Sequence, residues 1–98
     1  MEEKTRTQHP EGKKGVSISK RKYETVRASI LRCLQAGKQL AYTELAKCVG
    51  EDLSGRFEGS VNWYVEVVKL DLEATKVIER VPKTSPQLYR LIEGADST

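Results

Sequence analysis

The sequence predicts a mainly α fold of the α+β class: a three-helix bundle closed at its C-terminal end by a two-stranded β hairpin. Three observations carry that expectation. Apolar residues recur at helical spacing in three successive segments. The period then changes, and two short extended runs flank PKTSP at 82–86, whose two prolines suit a turn and not a ladder. Glycines at 37, 50 and 59 fall where helices should stop or connect.

Helix 1 is expected to start at Ser19, a good N-cap, with Ile18 and Tyr23 at the two positions of a hydrophobic staple. Tyr23, Val26, Ile30 and Leu34 form its stripe, which Leu31 and Cys33 widen, and Gly37 supplies the stop. Residues 38–42 can make a minimal strand. Thr43 then caps helix 2, with Glu44 in the first turn where the dipole favours an acid. Its inner face is Leu45, Ala46 and Val49, and Gly50 ends it. The connector GEDLSGRFEG, residues 50–59, offers Leu53 and Phe57 as a cover for the core. Helix 3 runs from about Ser60 to Thr75. Val61, Tyr64, Val65, Val68 and Leu72 share one face; Trp63, Val67, Leu70 and Ala74 lie beside it. So wide an apolar arc belongs to a central core element or to one partly covered by a partner. Asn62, Glu66, Lys69 and Glu73 fall outside the arc. Val77–Val81 and Gln87–Ile92 read as the two closing strands, with Tyr89 and Leu91 on one face.

The bulk numbers allow one soluble domain: 98 residues, 38% hydrophobic and 32% charged. Residues 1–17 read as a flexible basic arm, 18–93 as the folded domain and 94–98 as a flexible tail. Residues 1–22 hold seven basic groups against three acids, so with a net charge of +3 the remainder is close to neutral, at −1. No apolar run approaches the ~20 residues of a membrane span, and the first fifteen residues are polar, unlike a signal peptide. Both features lead to the expectation of a cytoplasmic protein. Cys33 and Cys48 are too few for a disulfide framework and lack metal-site spacing. They read as small buried hydrophobes. The lone His9 sits in the arm, so no metal or cofactor is expected. No enzyme is expected either. The folded part has no histidine for a nucleophilic triad, and the phosphate-loop pattern is absent.

The element order is helix, short strand, helix, helix, strand, turn, strand. The segment LDLEATKVIERVPKTSPQLYRLI, residues 70–92, together with YETVRASILRCL and AYTELAKCV, resembles the winged helix-turn-helix superfamily. More narrowly, it is similar to small stand-alone bacterial winged-helix proteins of unassigned function. The resemblance covers about three quarters of the chain. It implies a winged helix whose two-stranded β-wing closes the domain, and a small transcriptional regulator that binds double-stranded DNA. In that plan the third helix enters the major groove and the wing touches the backbone. The residues so implied are Lys20, Arg21 and Lys22 on helix 1, Arg56 in the connector, and Ser60, Asn62, Trp63 and Lys69 on helix 3. Arg80, Lys83, Thr84 and Ser85 would act from the wing. Two features depart from it. The ten-residue connector exceeds the usual three- or four-residue turn, and the outer face of helix 3 sums to −1, which suits phosphates poorly. The alternative is a protein–protein interaction or dimerisation module, a homodimer through an exposed part of the apolar arc with Trp63 as the anchor.

Overall fold

Ser19 ends an extended segment and starts a helix, as its side chain dictates. Its hydroxyl accepts from the Lys22 N–H at 3.2 Å and caps α1, Lys20–Gly37. The second helix, α2, spans Tyr42–Asp52 and starts one residue before the expected cap Thr43. Ala41 is the N-cap, and Glu44 reaches back to accept from its backbone N–H at 2.9 Å. Gly50 lies within this helix, so the connector shortens to residues 53–60. Ser60 caps α3, Val61–Ala74, by accepting from the Trp63 N–H at 3.2 Å. The structure, a computed structural model, describes residues 3–93; the expected tail at 94–98 lies outside the described residues.

The three helices pack on one core in which Val26, Ile30, Leu34, Leu45, Val49, Val65, Val68 and Leu72 are fully enclosed. Leu53 and Ile78 close its ends at 3% and 1% exposure. Among the described residues, no helix is long and apolar enough to cross a membrane.

The expected winged helix, a bundle closed by a two-stranded wing, is not the architecture found. Among the described residues five strands form two small sheets, and the fold is α+β. In the first sheet, β1 (Lys4–Arg6) pairs antiparallel with β2 (Ser17–Ser19). In the second, β5 (Leu88–Leu91) is the central strand between β3 (Leu40–Ala41) and β4 (Ile78–Arg80). The hairpin therefore has no free edge along β3. Leu40 pairs with Tyr89 and Ala41 with Leu88, and these backbone groups satisfy one another across the sheet.

Residues 1–17, read as a flexible arm, contain β1 and a buried threonine. Thr7 is 4% exposed; its N–H and hydroxyl donate to the Val16 carbonyl, and the hydroxyl accepts from the Val16 N–H. Gly15 permits this approach, since a Cβ there would fall 1.8 Å from the Thr7 carbonyl oxygen. The polar composition hid a segment held by its backbone.

The cysteines also differ from expectation. Cys33 on α1 and Cys48 on α2 are joined as a disulfide, a covalent tie between two packed helices.

The larger surprise is where α3 puts its charges. Lys69, Asp71 and Glu73 are buried, at 3%, 4% and 8% exposure. Helical spacing predicts the outer face for Lys69 and Glu73. Other elements cover them. Glu73 accepts from Lys69 Nζ at 2.8 Å and from Arg80 Nε of β4 at 2.7 Å. The Lys69 ammonium lies 4.6 Å from the centre of the Tyr89 ring of β5. On the opposite flank, Asp71 accepts from the Tyr23 hydroxyl of α1 at 2.5 Å and from the Gln8 N–H at 2.8 Å. Burial and the Asp71 carboxylate push the Tyr23 phenol up to about 12, so it keeps its proton and donates at neutral pH. Each buried charge is thus matched, as a low-dielectric site requires.

Removing one partner from that network should be costly, and removing a surface partner should not. Glu73→Gln is expected to destabilise by about 3 kcal/mol, because it strands the buried Lys69 ammonium. Glu79→Gln, whose partner Arg90 is 39% exposed, should change stability by less than about 1 kcal/mol. Urea denaturation at neutral pH compares them, and equal costs would refute the network. Reduction of the Cys33–Cys48 bond, which spans 15 residues, should lower unfolding stability by about 3 kcal/mol in the same assay.

Candidate nucleic-acid interface

The first turn of α1 and the connector face each other across a shallow cleft of about 350 Å³, lined by Arg21, Lys22, Thr25, Arg56, Phe57 and Glu58. Three cations meet one carboxylate there. The connector is held at its start by Asp52, whose carboxylate accepts from the Ser29 hydroxyl at 2.7 Å and from Arg32 at 2.6 Å. These hydrogen bonds hold the Asp52 carboxyl below its usual range. Arg56 donates to the Asp52 carbonyl and lies 3.8 Å from its carboxylate. Leu53 is buried behind this turn.

Aromatic rings fix the other wall. Phe57 meets Tyr64 edge to face, with centres 5.1 Å apart, and Tyr64 meets Trp63 in the same manner at 4.9 Å. The Lys22 ammonium lies 5.8 Å from the centre of Phe57 and 5.6 Å from that of Tyr64. The chain enters α3 through Gly59 at φ +115°, a backbone region closed to other residues. A Cβ at Gly59 would also approach the Tyr64 ring to 3.3 Å. Beyond these rings Trp63 stands 45% exposed.

The residues expected to contact DNA divide into two groups. Arg21, Lys22 and Arg56 line the cleft, and Ser60, Asn62 and Trp63 lie at the start of α3, with Asn62 bordering a separate groove beside Tyr42 and Lys47. Within that group the Ser60 hydroxyl is occupied as the cap, and the Asn62 carbonyl accepts from the Tyr42 hydroxyl at 3.2 Å, leaving the Asn62 side chain exposed. Lys20 stands nearby, paired with Glu3 at 3.4 Å on the surface.

The second group does not join it. Lys69 is buried against Glu73 and Tyr89 and leaves the candidate set. Arg80 is tied to Glu73, whose hydrogen bond and charge hold the guanidinium pKa up. Thr84 is turned inward: it donates to the Val81 carbonyl at 3.0 Å and accepts from the Leu88 N–H at 2.9 Å. Lys83 and Ser85 remain exposed on the turn before β5.

The withdrawal of Lys69 and Glu73 changes the electrostatics of α3. Its exposed polar side chains are Asn62 and Glu66, so the only acid presented by its first half is Glu66. Burial, and then the neighbouring Glu66 carboxylate, push the Tyr42 phenol pKa up. Phe57 and Tyr64 complete the site, and neither was in the sequence-derived set. The available signal was the pair Arg56–Phe57, an aromatic beside a cation in an otherwise polar connector. Among the described residues, no cluster of three or more His, Cys, Asp or Glu side chains could hold a metal ion.

A family model described as a family of unknown function, DUF6958, matches residues 4–89. No curated protein and no solved structure matches the chain.

The connector geometry gives a paired glycine test. Gly59→Ala should destabilise by about 1–3 kcal/mol, through backbone strain and the push on Tyr64. Gly50→Ala, in α2 with open space around it, should instead stabilise by about 0.5–1 kcal/mol. Urea melts decide, and a neutral Gly59→Ala would mean that the connector does not hold the aromatic wall.

Proposed function

Because the chain belongs to a family of unknown function, DUF6958, we propose its activity from its own surface: it is a small DNA-binding regulator that holds phosphates in the Arg21–Lys22–Arg56 cleft. The observation that carries this reading is the placement of three cations against one carboxylate beside an aromatic cluster whose outer member, Trp63, is exposed. Cations around a concave surface attract the phosphate backbone and release its counterions. The start of α3, with Asn62 and Trp63, would then lie against the sugars and bases. Lys20, Lys83 and Ser85 would be peripheral backbone contacts. We place this activity in the cytoplasm. There, thiol pools would keep Cys33 and Cys48 reduced, and packing alone would hold α1 to α2.

A second reading has its own observation. Val16 and Trp63 are the exposed large hydrophobics among the described residues, at 37% and 45%. Val16 borders a small apolar notch with Val67 and Leu70. That strip would suit a protein-interaction or dimerisation module.

Titration of the protein with random-sequence duplex DNA at two salt concentrations tests the first reading. Affinity should fall steeply with salt, and Arg21→Ala, Lys22→Ala and Arg56→Ala should each reduce the logarithmic salt slope by about one. Absence of binding at low salt would refute DNA binding and favour the second reading.

A further inference from the structure

We propose that Trp63 is a stacking platform for an unpaired base, so that the protein prefers single-stranded or locally melted DNA to intact duplex; this rests on the DNA-binding reading above. Trp63 is the exposed end of an apolar row on α3 whose middle, Val67 and Leu70, borders residues 7–16. Trp63, Val67, Leu70 and Ala74 are spaced to share a face opposite Val65, Val68 and Leu72, which are fully buried. The side chains of that row offer a single hydrogen-bonding group, the indole N–H, while the exposed Asn62 and Glu66 lie beside it. Reading base edges in a major groove needs donors and acceptors aimed at them. This face cannot supply that pattern.

It can supply the other mode of base recognition. Stacking needs a flat π surface, held in a fixed orientation, next to a positively charged path for the backbone. Trp63 has all three. Its ring stands at 85° to Tyr64 and is braced by it. Tyr64 is braced in turn by Phe57 and by the Lys22 ammonium. Lys22 is therefore one ring removed from the indole, and it opens onto the cleft shared with Arg21 and Arg56. A strand could lay its phosphates in that cleft and a base on the indole. Bases inside a duplex have both faces covered by their neighbours and must be unstacked first. Unpaired bases carry no such cost.

Trp63 is the sole tryptophan, so its fluorescence reports its own contacts. The protein would be titrated with a short oligothymidylate and, at the same salt, with a duplex of random sequence. The single strand should quench the emission saturably and bind about tenfold more tightly than the duplex, the lower range of one base stack. Trp63→Leu, at an exposed position and with its fold checked by circular dichroism, should lose that preference. Its duplex binding, followed by anisotropy of labelled DNA, should weaken by a smaller factor than its single-strand binding and keep its salt slope. Equal or tighter duplex binding, or a preference that survives in Trp63→Leu, would overturn the stacking role and leave DNA binding intact. Binding to neither strand form would overturn both. A sedimentation mass of two chains that Trp63→Leu halves would then mark this face as a self-contact.

Discussion

The fold turns on three charges buried along one helix. Lys69, Asp71 and Glu73 lie in the C-terminal half of α3, and each would be prohibitive there without a partner. The partners come from every side. Arg80 arrives from β4, Tyr23 from α1, and the Gln8 backbone from the segment after β1. Apolar contact alone would let these elements slide against α3. Directed hydrogen bonds to buried carboxylates fix them at particular positions along the helix axis.

That arrangement divides α3 by function. Its second half is spent on internal pairing and has no charge left for a ligand. Its first half carries the exposed Asn62 and Trp63 and opens beside the Arg21–Lys22–Arg56 cleft. The connector leads into the exposed half. Asp52 anchors it to α1 through Ser29 and Arg32, and Gly59 delivers the chain under Tyr64. In this account the site is a consequence of how α3 is held: its outer half is presented because its inner half is locked.

The parts of this that were legible in the sequence are the local ones. Ser19 and Ser60 cap helices because hydroxyls at those positions reach backbone N–H groups within the same turn. The stripes of α1 and α3 follow from spacing alone. The buried charges were not legible, since a helical wheel sorts residues by polarity. Asp71 is reached by Tyr23 and Gln8, 48 and 63 residues away in the chain. The ordered strand β1 was hidden for the same reason, because its pairing with β2 uses backbone groups and a composition rich in Lys and Glu reads as disorder. The Cys33–Cys48 bond depends on the packing of α1 on α2, which spacing does not report. For the site, residue type identified the cations. Only their partners showed that Arg21, Lys22 and Arg56 line the cleft, while Lys69 is buried and the exposed Arg80 is paired to the buried Glu73.

The most direct test of this division is a residue-resolved map of amide and indole NMR shifts during titration with DNA. The shifts should gather at Arg21, Lys22, Arg56, Asn62 and the Trp63 indole, with Lys69, Arg80 and Thr84 unmoved. Shifts centred on Arg80 to Ser85 and the second half of α3, or none at saturating DNA, would contradict it.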